Sequence, residues 1–427
     1  MRGISRRLIA VAAAVLVGAT AAPTVAQAHV RSYYKVGYFT QWGIYGRNYQ
    51  LSKVESSGQA AGLTHLNYAF GNVAADGTCV SADPWADWQT PFSADLSVDG
   101  VADVAGQPIS GNLNQLAELK AKNPKLKVLI SLGGWSGSAY FSDAALTAAS
   151  RSKLVSSCVG LWLKGDLPGL TAGVAAGIFD GVDLDWEWPG SDGNAGNIQR
   201  PQDKRDFTLL AAEFRAQLDA LGQTTHKHYD LSAFLPAAPA KLAAGFEANK
   251  IFKYLDFGTV QGFDYHGTWE TTTNQQSALF VPRNAPTTPD FSGSTSLKAW
   301  TDRGGPKKQL VLGIPYYGQG WTGVTNAGKG LFQPAAGAAK GTWADGNEDY
   351  KVLATLPQQG YKVYHDLLSG SAWLFNGTTF WTFDDPIVVA QKGLYIRLAG
   401  YGGAMIWSLD GDDANGTLTK AIYTTLR

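Results

Sequence analysis

Short runs of apolar, β-branched and aromatic residues recur along the chain, with helical patterns between them, and that alternation leaves few folds open. The strand-like runs cover residues 35–41, 65–71, 127–132, 181–187, 229–235, 258–264, 309–315 and 404–409. The helical stretches include residues 113–122, 144–163, 201–221, 296–303 and 387–399. Strands alternating with helices predict a parallel sheet, because parallel neighbours need a crossover connection. Eight such units within 427 residues predict an α/β fold of the TIM (β/α)8 barrel type. Apolar residues at 45% can fill a large core, and charged residues at 16% leave little for long disordered tracts.

Two stretches interrupt the alternation. Residues 73–111 form a long connection rich in Asp, Pro and Gly, with Trp85 and Trp88. Residues 317–386 contain strand-like pieces of their own at 360–365 and 372–381, which predicts a small α+β insertion between strands 7 and 8. The chain shows no repeat of fixed period and no Ser/Thr/Pro linker.

The N-terminus predicts export. Arg6 and Arg7 precede the apolar run 8–17, and Ala26-Gln27-Ala28 matches a small-x-small cleavage pattern, so residues 1–28 read as a signal peptide. The run is too short to span a bilayer comfortably, and no second apolar span follows. Residues 29–427 are therefore expected to be secreted, extracellular, monomeric and without a membrane partner. The arginine pair leaves both the general and the twin-arginine export routes open. Loss of Arg2, Arg6 and Arg7 leaves 32 basic against 35 acidic side chains, which argues against a nucleic-acid partner. His29 at the new terminus is far short of a metal site. Outside the cytoplasm Cys79 and Cys158 can pair, the alternative being two buried thiols. The 14 Trp and 18 Tyr suggest an aromatic-lined groove beyond what core packing needs.

Chemistry concentrates in the fourth strand, which reads DGVDLDWEWP from Asp180 to Pro189. Side chains alternate faces along a strand, so Asp183, Asp185 and Glu187 point into the barrel while Val182, Leu184 and Trp186 point toward the helices. Glu187 comes last and lies nearest the C-terminal mouth, where barrel active sites sit. Three carboxyls on one enclosed face cannot all ionise cheaply, so at least one pKa rises and a protonated general acid becomes available. The apolar flanks Val182, Leu184 and Trp186 argue against a solvated surface strand. Even spacing along a single strand suits a proton relay better than a metal cage.

This segment resembles the signature D-x-x-D-x-D-x-E of family 18 glycoside hydrolases, with Asp180, Asp183, Asp185 and Glu187 at its fixed positions. Other segments are similar to the same family: YFTQW (38–42), SLGGW (131–135), LVLGIPYYG (310–318) and MIWSLDGDD (405–413). The likeness runs from about residue 34 to 427 and includes the insertion of the family's deep-cleft members. It implies an endo-acting chitinase that hydrolyses β-1,4 links between N-acetylglucosamine units of chitin and chitooligosaccharides. It also implies retention through a substrate-assisted oxazolinium ion, some transglycosylation, and neither metal nor organic cofactor. By carry-over Glu187 protonates the glycosidic oxygen, Asp185 steadies the acetamide-derived cation, and Asp183 shares a proton with Asp185.

The same resemblance assigns substrate contacts. Trp407 would floor the subsite of the distorted sugar, Tyr317 would contact the acetamide or ring, and Asp264 would contact sugar hydroxyls. Trp135 and Trp269 are stacking candidates, and Phe39 is a wall candidate. The sixth strand departs from the family's M-x-Y-D, since Gln261-Gly262-Phe263-Asp264 stands there and Phe263 lacks a hydroxyl that Gln261 can replace only in part. Gln319 and Trp188 depart as well, where arginine and tyrosine are common. Two rival readings stay open: a chitin-binding lectin without hydrolysis, and an endo-β-N-acetylglucosaminidase acting on N-glycans. The presence of Glu187 weighs against the first, and the aromatic setting of Trp186 and Trp188 against the second.

Overall fold

The structure is a computed structural model that describes residues 32–286 and 291–427. The expected signal peptide and His29 lie outside the described residues. The first part of the chain supplies β1 (Tyr34–Thr40), β2 (His65–Val73), β3 (Cys79–Ser81), β4 (Lys127–Gly133), β5 (Gly181–Asp185), β6 (Asp230–Leu235), β7 (Phe257–Val260) and β8 (Leu310–Pro315). A second group follows: β9 (Tyr317–Thr322), β10 (Gly337–Ala338), β11 (Asn347–Asp349), β12 (Lys362–Asp366), β13 (Ser371–Phe375) and β14 (Phe380–Phe383). Then comes β15 (Gly403–Trp407).

Among the described residues, eight parallel strands pair in the ring β1-β2-β4-β5-β6-β7-β8-β15, and β15 returns to β1, so the sheet closes into the TIM (β/α)8 barrel. Closure leaves the barrel without an edge except where β3 hairpins back antiparallel onto β2. The outer layer follows from helical spacing. In the helix Asp203–Thr225, Phe207, Leu210, Ala211, Phe214 and Leu218 are buried, an i, i+3, i+4, i+7, i+11 stripe. Trp186 leaves β5 on the outward side and is clamped between that helix and its neighbour, with its ring stacked on Phe141 at 5.4 Å and tilted against Phe207 at 6.2 Å. No helix among the described residues is long and apolar enough to cross a membrane.

Several strands end earlier than the sequence pattern predicts, and at two of them this moves a candidate site residue. β5 stops at Asp185 and β7 at Val260, so Glu187 and Asp264 stand on the rim rather than in the ladder. At β7 the reason is steric. A Cβ on Gly262 would lie 1.8 Å from the Gly313 carbonyl oxygen, so only glycine lets the chain press against β8 there. Asp264 then turns through a left-handed φ of 55°.

The stretch between β8 and β15 builds a separate antiparallel sheet in the order β10-β9-β14-β13-β12, with β11 on β9. The strand-like run 372–381 is in fact a hairpin. Asn376 Oδ1 accepts from the N–H groups of Thr378 and Thr379, and Gly377 takes φ 105°, so an Asn-Gly turn splits the run into β13 and β14.

Cys79, at the start of β3, forms a disulfide with Cys158 at the end of the helix Ala148–Cys158, with Cα atoms 4.9 Å apart. It staples the hairpin that carries Asp83 and Trp85 to the helical layer. The cross-link spans 79 residues of sequence, and closing a loop of that size in the unfolded chain is worth up to ~4 kcal/mol in the chain-entropy description. Replacing both cysteines with serine should lower the melting temperature by several degrees in calorimetry, and an unchanged value would show that the staple constrains nothing.

Candidate active site

The deepest layer of the site is one carboxylate with donors on three strands. Asp183 accepts hydrogen bonds from Tyr38 Oη of β1 (2.6 Å), Ser131 Oγ of β4 (2.8 Å) and Ser232 Oγ of β6 (2.6 Å). Ser131 and Ser232 are the register partners of Asp183 on its two neighbouring strands, so the pleat sets all three in one layer. Burial raises the Asp183 pKa against the pull of these donors. Burial also holds the Tyr38 phenol well above its usual value, so it serves as a neutral donor.

One layer up, Asp185 is buried, and its Oδ1 has no hydrogen-bond partner among the described residues. Its pKa lies well above the carboxylate range, through burial first and then through the charges of Glu187 and Asp183. The backbone around it is tightly packed. The Asp185 carbonyl accepts from Gly134 N–H (2.8 Å) and Ser138 Oγ (3.1 Å), and a Cβ on Gly133 would sit 2.4 Å from that oxygen. Gly133 is therefore required by close approach to β5, a Cβ on Gly134 would lie 2.6 Å from the Phe70 ring, and both glycines have positive φ.

Glu187 stands at the mouth with its backbone held on both sides. Its N–H donates to Ser138 Oγ at 2.9 Å, and its carbonyl accepts from Asn197 Nδ2 at 2.9 Å. Its pKa is pushed up to about 8, by burial first and next by the Asp264 carboxylate, while Lys241 pulls the other way. Asp264 accepts from Tyr317 Oη (2.7 Å) and Gln319 Nε2 (3.0 Å). Its carboxyl opens onto the cleft, yet the surrounding walls still raise its pKa against those donors.

Above these groups runs a cleft of about 1300 Å³, larger than a typical small-ligand pocket. Trp407 borders it and begins a row of rings: Trp407 stacks on Phe70 at 5.9 Å, and Phe70 stacks on Trp42 at 5.9 Å. Trp135 and Trp269 line the cleft and are 50% and 62% exposed, as stacking surfaces must be. Gln261, Phe263 and Tyr317 also line it. Phe263 packs against Phe234 (6.2 Å) and the edge of Tyr317 (6.0 Å).

Phe39 needs correction as a substrate-wall residue. It is buried against Tyr49 and Tyr68, because the β1 pleat turns it away from the barrel axis and turns Tyr38 inward. Asp180 stands apart from the cleft, where it pairs with Lys120 Nζ (2.6 Å) and accepts from Val128 N–H (2.9 Å). Sequence reasoning missed Tyr38, Trp42, Phe70, Arg47 and Lys241, all of which line the cleft. Strand parity carried a signal for Tyr38; Phe70 lies in β2, Lys241 in the helix Pro239–Gly245, and Trp42 and Arg47 in the connection after β1. One cluster has metal-ligand types, His228, Asp230 and Asp256, with ligand atoms within 4.8 Å. Lys127 and Arg215 already pair with those two carboxylates, at 2.6 and 3.4 Å.

A carboxyl of raised pKa at a barrel mouth, beside a second buried carboxyl and under an aromatic-lined cleft, has the chemistry of a general acid. Comparison with known proteins is specific: residues 35–412 match the model for glycosyl hydrolases family 18, and the chain belongs to that family. Chitinase A1 of Niallia circulans is 35% identical over 95% of this chain and 60% of its own length. Chitinase C of Streptomyces lividans is 36% identical over 92% of this chain and 61% of its own. The chain thus spans about three-fifths of these relatives. The catalytic domain of psychrophilic chitinase B from Arthrobacter TAD20 superposes with TM-score 0.89 at 46% identity, covering 93% of this chain and 96% of that one.

The glycine contact at β5 makes a sharp prediction. Gly133→Ala should lower the melting temperature well beyond Gly169→Ala. Both positions have positive φ, but only Gly133 faces a carbonyl at 2.4 Å, while Gly169 has open space around it. Equal losses would remove the steric account.

Proposed function

We propose that this chain is a secreted chitinase that cleaves β-1,4 links between N-acetylglucosamine units within chitin and chitooligosaccharides. Glu187 is the general acid that protonates the glycosidic oxygen. The acetamide oxygen of the sugar attacks C1, forms an oxazolinium ion and displaces the leaving sugar. Asp185 accepts the acetamide N–H and balances the growing positive charge. Water, deprotonated by Glu187, then opens the ring with retention, and a second sugar in place of water gives transglycosylation. Asp183 shares the proton of the carboxyl pair and is held in place by its three donors.

The observation that carries this reading is the buried Oδ1 of Asp185, without a protein partner, directly beneath a rim acid whose pKa is raised. An unpaired buried acceptor costs free energy unless a ligand supplies a donor, and an acetamide N–H is such a donor. Support also comes from the names of the relatives and from the exposed tryptophans along the cleft. A retaining enzyme with its own nucleophile needs a second carboxylate across the sugar, about 5–5.5 Å from the acid. Asp185 ends β5 only two residues before Glu187 and so lies on the same side of the cleft, which leaves Asp264 as the competing nucleophile.

The deciding experiment uses a thiazoline analogue of the cyclised sugar, together with cellulose oligomers. Strong inhibition by the thiazoline and no cleavage of cellulose oligomers are expected. An inert thiazoline and a covalent sugar trapped on Asp264 would replace the mechanism.

Acid catalysis also fixes the pH behaviour. A raised pKa keeps Glu187 protonated at neutral pH, so kcat/KM should hold through pH 7 and fall as the pH rises through about 8, where the proton is lost. Glu187→Gln should bind oligosaccharide nearly normally and lose turnover by at least about three orders of magnitude. A variant that keeps near-normal kcat would reassign the acid.

A further inference from the structure

Among the described residues, the sheet of the insertion ends in an open edge. Its order is β10-β9-β14-β13-β12, so β12 is paired on one side only, with β13. An edge strand leaves backbone N–H and C=O groups ready for another strand. β12 reads Lys362-Val363-Tyr364-His365-Asp366, and most of it faces solvent. An apolar surface adjoins it. Leu367 and Leu368 follow the strand directly and are 59% and 66% exposed. The helix Pro386–Ala399 exposes Ile387, Leu394 and Leu398, spaced i, i+7, i+11 along one face. Two contacts lock strand and helix into one surface. His365 Nε2 pairs with Asp385 Oδ2 at 2.6 Å just before the helix, and Gln391 Nε2 donates to the Leu367 carbonyl at 2.7 Å.

The strand itself specifies what covers this surface. Lys362, Tyr364 and Asp366 share one face of β12. Lys362 is exposed and, among the described residues, has no ion-pair partner. Asp366 spends Oδ1 on the following turn, where it accepts from Leu368 N–H at 3.0 Å. Tyr364 is held in place, stacked on Trp373 at 5.5 Å with Lys329 Nζ 5.1 Å from its ring centre. A second β12 laid antiparallel about Tyr364 sets Lys362 opposite Asp366 of the other copy, Tyr364 opposite Tyr364, and Asp366 opposite Lys362. Opposed side chains in an antiparallel pair have Cβ atoms about 4.5–5.5 Å apart, so both ion pairs can close. A shift of register by two residues leaves both lysines unmatched. A lysine on an edge strand ordinarily keeps other strands away; a second copy in this register neutralises it. We propose that β12 and the apolar surface beside it form a two-fold interface between two copies of this chain, joined strand to strand. This departs from the monomer expected from the sequence.

No residue of β12 lines the cleft, so the interface stands apart from the carbohydrate reading above. The test is sedimentation equilibrium of the purified chain from micromolar to millimolar concentration. The unmodified chain should approach twice its monomer mass as concentration rises. Lys362→Glu sets like charges opposite one another at both ends of the paired strands and should weaken association at least about tenfold. Asp366→Lys should do the same. It also removes the acceptor of the turn, so melting temperatures are recorded for both variants. An equimolar mixture of the two variants should recover association, because every opposed pair in the mixed dimer again carries opposite charges. If Asp366→Lys melts early, Lys362→Glu, at an exposed position, decides the case alone. A chain that stays monomeric throughout, an association that Lys362→Glu does not weaken, or a mixture of folded variants that does not recover it would overturn the interface.

Discussion

Everything at the mouth of this barrel depends on how one buried carboxylate, Asp183, is satisfied. An ion removed from water is tolerated only with close partners. Here three neutral donors supply them, from β1, β4 and β6. Their neutrality matters, because a buried lysine or arginine beside Asp183 would have stabilised its charge outright and drained the proton economy of the strand. Instead the carboxyls of Asp183, Asp185 and Glu187 are all raised together. The barrel thereby carries three acids on one inward face, each with its proton held more tightly than in water.

The surrounding architecture keeps this layer in register. Parallel pairing places Ser131 and Ser232 level with Asp183, and Gly133 lets β4 close down on the Asp185 carbonyl. Ser138 then ties that carbonyl to the N–H of Glu187. Glu187 is thus held by its backbone, and it lines the cleft. Precision of this kind comes from strands and tight glycine contacts more readily than from loops.

Much of this was legible in the sequence. Hydrophobic runs of strand length gave all eight barrel strands, because parallel strands buried on both faces read as continuous apolar segments. The alternation within DGVDLDWEWP separated the acids from Val182, Leu184 and Trp186. The same parity rule, applied to YFTQW, would have favoured Tyr38 over Phe39. The run 372–381 read as one strand because its apolar content hides the Asn376-Gly377 turn. Contacts that join distant segments left no local trace: neither Arg47 with Asp349 and Asp410 nor the partners of Asp264 follow from any spacing.

The depth of the acid layer has one more consequence. Dissolved ions screen exposed charges over roughly 8–10 Å at ordinary ionic strength, but they act weakly on pairs enclosed by protein. Asp183 and Asp185 are buried, and the influence of Asp183 on Asp185 passes through protein rather than solvent. The proton affinity of that buried pair is therefore insulated from the salinity of the surroundings, whereas the charge of Asp264, which acts on Glu187 from a carboxyl open to the cleft, is exposed to screening by dissolved ions.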